Sequence, residues 1–412
     1  MFKLILLINC FCVCLACFSK QLNQESSLKT QFAEQQLTLQ KDTNPLPAAA
    51  NMKAYLTQLS NKKIALVVNQ TSMVNQVHLV DTLKALGFQI MRVFAPEHGF
   101  RGQADAGEQI KDGFDKQTGL PIVSLYGSNK KPTVEQMQGI DLILFDVQDV
   151  GVRFYTYTST MTYVMQACAE NNVPLLVLDR PNPLGHIVDG PVLEKEQRSF
   201  VGLHPVPIIH GLTVAEYAYM INEEGWLEDG LKCPLKWVKC LHYNHSKFYQ
   251  LPVRPSPNLP NMRSIYLYPH LCLFEGTTTS VGRGTVYPFQ QYGHPALTTP
   301  DFFFTPKSRP GATKPKHQGL DCYGHHFKDV KDTSLQQIER LQLSYMMKLY
   351  QALGEEDKIN FFLANNFFNK LAGNTDLMQQ IKSLMPLEDI YQSWEPKLSN
   401  YKNLREQYLL YP

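Results

Sequence analysis

At four points along this chain an apolar run ends abruptly in side chains that can hold or move a proton. VVNQ leaves Asn69 and Gln70, FAPEH leaves Glu97 and His98, FDVQD leaves Asp146, Gln148 and Asp149, and LDRPN leaves Asp179, Arg180 and Asn182. For any one of these residues a solvated loop is as good an account as a functional role. Taken together, one group behind each apolar run, they mark a single polar edge as the place to look for chemistry.

The stretch FAPEHGFRGQADAGE, Phe94 to Glu108, turns from apolar to charged and glycine-rich, and Gly99, Gly102 and Gly107 allow tight turns beside a ligand. Glu97 is the candidate general acid, because a carboxyl in a partly dry pocket can keep its proton near neutrality. His98 can orient it, touch substrate or donate the proton itself. The structural alternative is a clasp between Glu97 and Arg101. In FDVQDVGVRFYTYTSTM, Asp146 and Asp149 are candidates to activate water or stabilise a cationic carbon. Arg153, Tyr155 and Tyr157 follow as candidates for substrate binding, aromatic faces being suited to sugar rings; helix-to-sheet packing is the alternative for the tyrosines. FEGTTTSVGRGTVYPF adds a further candidate catalytic carboxylate, Glu275, and Arg283, whose planar fork suits a carboxylate. An interdomain ion pair is the alternative role for Arg283. Asn69, Asp179, Arg180 and Asn182 complete the binding candidates.

The elements that must position these residues alternate. KIALVVNQT, QIMRVFAPEHG, PIVSLYG, DLILFDVQD and PLLVLDRPNP read as buried strands, with HLVDTLKALG and TYTSTMTYVMQACAENN as helices between them. Such alternation predicts an α/β fold with a mainly parallel sheet covered on both faces, and ligands bind beyond the carboxyl ends of such strands. Beyond the proline-rich LPVRPSPNLPN the pattern changes: SIYLYPHLCLF reads as strand-like, and Ser334 to Leu409 as a helical tail. The expected division is a leader over 1–17, a polar tether over 18–50, one domain over 51–254 and a smaller α+β domain over 255–412.

With 412 residues, of which 44% are hydrophobic, the chain can fill two cores. Its 39 basic and 37 acidic residues give no nucleic-acid footprint. Lys3 ahead of the apolar run Leu4–Ala16 reads as a signal for export, with lipidation at Cys17 and plain cleavage both open, so a periplasmic or lipid-anchored location is expected. Cys168, Cys233, Cys240, Cys272 and Cys322 have no metal-like spacing and read as buried thiols, although Cys233 and Cys240 are near enough in sequence to bridge. His325 and His326 have no partner spacing for zinc, and His204 and His210 read as packing residues. Phosphate-binding glycine loops and the nucleophile elbow of serine hydrolases are both lacking, so no cofactor is expected.

FAPEHGFRGQADAGE, FDVQDVGVRFYTYTSTM, VLDRPNPLGHIVDGP, HGLTVAEYA, PSPNLPN and FEGTTTSVGRGTVYPF together resemble the NamZ-type exo-β-N-acetylmuramidases, over nearly the whole chain from Asn51. The resemblance implies a Rossmann-like N-terminal domain, a smaller C-terminal domain, and a cleft between them that removes muramic acid from non-reducing ends. It also implies that Glu97 is catalytic. Arg153 or Arg283 would hold the lactyl carboxylate of the muramyl sugar. Two departures from the family pattern, His186 in place of a second glycine and Asp189 in place of glutamate, are expected near the cleft rim. The rival reading is a protein that binds muramyl fragments without turning them over; it would need the aromatics and arginines but not the acids.

Overall fold

The computed structural model describes residues 43–101, 112–297 and 302–412. The expected leader, Cys17, most of the expected tether, Gly102 and Gly107 lie outside those residues. The fold begins before Asn51: the Leu46 and Leu241 backbones bond to each other, and Ala48, which is fully buried, donates its N–H to Asp179 O at 2.8 Å. PLPAAA has no apolar period to betray it, yet Ala48, Ala49 and Ala50 are all buried.

Strand β1 (Lys63–Val68) lies at the centre of a seven-stranded sheet. A hairpin of β2 (Met73–Val74) and β3 (Val77–His78) stands apart from that sheet. The other members are β4 (Gln89–Ala95), β5 (Gly113–Phe114), β6 (Pro121–Ser124), β7 (Leu142–Asp146), β8 (Leu175–Leu178) and β9 (Leu235–Val238). The spatial order is β5-β6-β4-β1-β7-β8-β9, and every pairing is parallel except the short edge strand β5 on β6. Counting only parallel strands, this is the doubly wound order 3-2-1-4-5-6, whose switch point lies between β1 and β7.

Alternation along each strand feeds two cores. From β1, Ala65 and Val67 enter one apolar cluster, while Ile64, Leu66 and Val68 enter the other. The second is closed by the helix Leu79–Ala85. The first continues through the helices Tyr157–Glu170 and Val214–Glu223 into the C-terminal half without a break, taking in Leu273, Tyr350 and Trp394. One apolar core therefore serves both halves and fixes how they meet.

The C-terminal half holds an antiparallel sheet of β10 (Gln291–His294), β12 (Cys322–His326) and β11 (Phe303–Phe304) in that order. Its larger helices are Ser344–Ala352, Phe367–Ala372, Asp376–Lys382 and Leu387–Arg405. SIYLYPHLCLF is not a strand: the helix Met262–Leu271 and a 3-10 turn at Cys272–Gly276 cover it. Asn261 and Ser264 form a reciprocal capping box that starts this helix. Residues Ser264 to Leu271 are all buried, so hydrophobic periodicity cannot distinguish strand from helix here. The chain end then returns to the first half. Tyr411 Oη donates to Asp179 Oδ2 at 2.6 Å, Leu410 N to Glu216 Oε1 at 2.8 Å, and His245 N to Pro412 O at 3.0 Å.

Candidate active site

Strand β4 ends at Ala95, and Pro96 to Gly99 make a turn closed by Gly99 N donating to Pro96 O at 3.0 Å. His98 and Gly99 both take left-handed backbone, φ 69° and 77°. Glycine does so freely and histidine only where its surroundings hold it; Ser256 Oγ lies 3.2 Å from His98 Nε2. This turn presents Glu97 at the mouth of the sheet. Thr156 Oγ1, at the start of the helix Tyr157–Glu170, donates to Glu97 Oε2 at 2.9 Å, and Tyr157 Oη donates to Glu97 O at 3.3 Å. Burial, and after it the charge of Glu97, pushes the Tyr126 phenol up to about 12. It therefore stays protonated beside the carboxylate.

Glu97 and His98 line a cavity of about 220 Å³ between the two halves of the molecule. Tyr155 and Tyr157 meet edge to face at 4.9 Å, Tyr155 and Tyr268 at 5.9 Å, and Tyr268 and Phe289 at 5.0 Å. The Arg283 guanidinium carbon lies 5.0 Å from the Phe289 ring centre. A run of rings therefore leads from the Glu97 turn to Arg283, all of it on the cavity wall. Such rings offer broad apolar area to a sugar. Arg283 Nε is 3.1 Å from Glu275 Oε2, and both side chains are about a quarter exposed. Burial is the largest influence and lowers the guanidinium, but Glu275, Tyr268 and Cys272 together outweigh it and the net displacement is upward, so Arg283 remains a cation. Cys272 also lines the wall, but burial pushes its thiol well up, and it is not a ready thiolate.

The remaining predicted residues form a buried polar layer outside the cavity wall. Arg180 binds Asp146 through two bonds, 2.6 and 2.9 Å, with both side chains at most 2% exposed. Each satisfies the other, and neither lines the cavity, where catalytic and binding roles were expected of Asp146 and Arg180. Asp149 accepts from Gly151 N at 2.6 Å and faces His210 Nε2 at 3.5 Å. Asn69 Oδ1 accepts from Thr71 N and Thr71 Oγ1. Asn182 is used by the backbone, accepting from Leu184 N in its own loop and donating to Leu212 O thirty residues on. Asp179 accepts from Arg180 N, Ala215 N and Tyr411, and burial raises it to about 7.

Arg153, the largest fully buried side chain, donates to four carbonyls, those of Pro191, Val206, Leu371 and Ala372, at 2.8 to 2.9 Å. Burial lowers it to about 9. It ties the first half to the end of the helix Phe367–Ala372, and so it is a clamp rather than a ligand contact. The switch-point crevice itself is filled by the chain: Gln148 N donates to Thr71 Oγ1, and Gln148 Nε2 to Pro181 O. The cavity is displaced outward from it.

Other expectations resolve locally. Arg101 pairs with Asp81 at 3.2 Å and Asp115 at 2.9 Å. His186 bonds to Gln336 O, and Asp189 accepts from Leu341 N and Trp394 Nε1; neither lines the cavity, so the two departures sit away from its rim. Cys168, Cys233, Cys240, Cys272 and Cys322 are all free and buried.

Cavity residues missing from the sequence reading include Tyr126, Thr156, Phe200, Ser256, Asn258, Tyr268 and Phe289. Tyr126 follows β6 as Glu97 follows β4, so the same strand-end rule would have found it. Ser256 and Asn258 sit in the proline-rich PSPN segment, which reads as punctuation. Phe200 and its neighbour Val201 lie far in sequence from the other cavity residues and carry no local signal.

The descriptions "Exo-beta-N-acetylmuramidase NamZ, N-terminal" and "Exo-beta-N-acetylmuramidase NamZ, C-terminal" belong to family models that match residues 64–263 and 266–411. A peptidoglycan β-N-acetylmuramidase NamZ of Bacillus subtilis (strain 168) is 38% identical over 377 residues, 87% of this chain and 89% of that protein. Two crystal structures of DUF1343-family proteins from Bacteroides fragilis NCTC 9343 share the fold. One has a TM-score of 0.82 at 41% identity over 89% of this chain and 99% of that one; the other has 0.76 at 28% over 90% and 100%.

Proposed function

The chain belongs to the NamZ exo-β-N-acetylmuramidase family, and from that premise we propose that it hydrolyses terminal β-linked N-acetylmuramic acid from peptidoglycan fragments in the cleft between its halves. The observation that carries this reading is that Glu97 and Arg283 line one cavity and are joined by a run of aromatic rings. In the proposed reaction Glu97, protonated, gives its proton to the glycosidic oxygen as the bond from C1 to that oxygen breaks, the electron pair leaving with the oxygen. Water adds to the cationic ring at C1, its proton passes to the Glu97 carboxylate and restores the acid, and N-acetylmuramic acid is released. Thr156 and Tyr126 hold the carboxyl, and His98, fixed on Ser256, sets the turn that carries it.

Arg283 receives the lactyl carboxylate on the terminal amino groups of its fork, with the Glu275 carboxylate beside it as an ion-pair partner. Among the described residues of the cavity wall Glu97 and Glu275 are the two carboxylates. Asp146 and Asp149, buried outside it, have no part in this proposal. The chain acts after export, and the leader ending near Cys17 is removed or replaced by a lipid; the mass of the N-terminal fragment from fractionated cells tests this.

The test of the activity is hydrolysis of a chromogenic β-muramide beside the matching N-acetylglucosaminide, with wild type and Glu97→Gln. Release from the muramide, lost in a folded variant, is the expected result. Binding of the muramide without release by wild type would overturn the enzyme reading.

A further inference from the structure

A second cavity, of about 460 Å³, opens on the far side of the segment Arg198–His204 from the candidate active site. That segment walls both: Phe200 and Val201 line the first cavity, Arg198, Leu203 and His204 the second. Aromatic rings run between them. Tyr126 and Phe200 meet at 6.1 Å, Phe200 stacks on Tyr163 at 6.2 Å with 18° between planes, and Tyr163 lines the second cavity with Trp226.

His204 shows what this cavity is built to meet. It is 1% exposed and stacks on Trp226 at 5.0 Å and 14°. Its Nε2 lies 2.9 Å from Thr162 Oγ1, whose single proton goes to Thr158 O at 2.9 Å. The histidine must therefore be the donor to Thr162, so its proton sits on Nε2 and its Nδ1 is left as an acceptor. That Nδ1 is buried and has no hydrogen-bond partner. Burial holds the ring neutral, down to about 3. A buried acceptor without a donor is costly and rare. A neutral acceptor repels an anion's oxygens and welcomes a hydroxyl or amide N–H.

We propose that this second cavity is a glycan subsite, holding an uncharged N-acetylated sugar of the same strand beyond the bond that is cut, with Trp226 and Tyr163 as apolar walls and His204 Nδ1 accepting from a hydroxyl or acetamido N–H. The assignment rests on the hydrolytic reading above, since an exo-acting enzyme with the terminal sugar in the first cavity must let the rest of the strand leave across its rim. The Phe200–Tyr163 step gives that strand an aromatic path.

The experiment compares a one-sugar chromogenic β-muramide with a peptide-free glycan of four or more sugars ending in N-acetylmuramic acid, using wild type, Trp226→Ala and Tyr163→Ala. The expected result is a KM for the long glycan raised about tenfold in Trp226→Ala and several-fold in Tyr163→Ala, with kcat and the short substrate within about twofold. Equal losses on both substrates, or no loss on the long one, would overturn the subsite. Should wild type cleave neither substrate, calorimetric titration of the long glycan decides separately: binding weakened in both variants supports the subsite though the hydrolytic reading has failed, and binding unaffected by them removes it.

Discussion

Replacing Arg283 with glutamine tests how the lactyl group is recognised, and its effect can be worked from the geometry. The Arg283 side chain is a quarter exposed and already faces the Glu275 carboxylate at 3.1 Å, so the ligand meets the two terminal amino groups in a partly wet setting. A hydrogen bond to a charged group contributes about 1.5 to 3 kcal/mol net. The exposure and the competition from Glu275 argue for the lower part of that range, about 2 kcal/mol, or roughly thirtyfold at tenfold per 1.4 kcal/mol. The assay is kcat/KM for a chromogenic β-muramide and for the same compound with its lactyl carboxylate amidated, on wild type and Arg283→Gln. Wild type should lose about thirtyfold on the amide and Arg283→Gln about thirtyfold on the free acid, while the variant should treat acid and amide nearly alike. If the two losses multiply instead, the arginine and the carboxylate do not interact, and Arg283 acts only as the partner of Glu275.

Other consequences concern the buried polar layer. Asp146→Asn leaves Arg180 buried with half a partner and should cost about 3 to 5 kcal/mol in urea unfolding, with activity per folded molecule kept; a stable but inactive variant would return Asp146 to the chemistry. Arg153→Lys cannot span four carbonyls and should lower stability by about 3 kcal/mol or more, at about 1 to 3 kcal/mol for each buried acceptor left bare, while the muramide KM stays put. Asp179 is raised from 3.8 to about 7. Between those values the folded chain keeps a proton that the unfolded chain has released, so this group's contribution to stability falls as pH rises through that window. Asp179→Asn should therefore gain on wild type from pH 4 to 7 in unfolding free energy, and a pH-independent difference would refute it. His204 and His270, both held down to about 3, act in the opposite sense and lower stability as pH falls from about 6.5.

The strands were legible because burial on both faces demands continuous apolar runs: KIALVV, LILFD and LLVL are recognisable with no knowledge of their neighbours. Glu97 was legible for a related reason, since the chain must leave the sheet where the apolar run stops and Gly99 permits the turn. Arg283 could be singled out by its side-chain chemistry. The helix Met262–Leu271 was misread because a segment buried all round loses the one-sided pattern that marks a helix, and the capping pair Asn261 and Ser264 is a weaker signal than its aromatics.

What the sequence determined by itself was the α/β alternation, the family, and a set of polar residues at one edge of a sheet. Only the tertiary structure decided which of those residues face a ligand. Asp146, Arg153, Asp179, Arg180 and Asn182 share their strand-end or loop positions with Glu97, yet they are buried among backbone groups and one another, whereas Glu97 lines the cavity. The difference lies in what the rest of the chain lays over each strand end. Tyr411 returns from the far terminus to cover Asp179, the end of the helix Phe367–Ala372 covers Arg153, and over β4 the C-terminal half stands off and leaves a cleft. Contacts between residues some two hundred positions apart set that covering, and no local pattern of residue types encodes them.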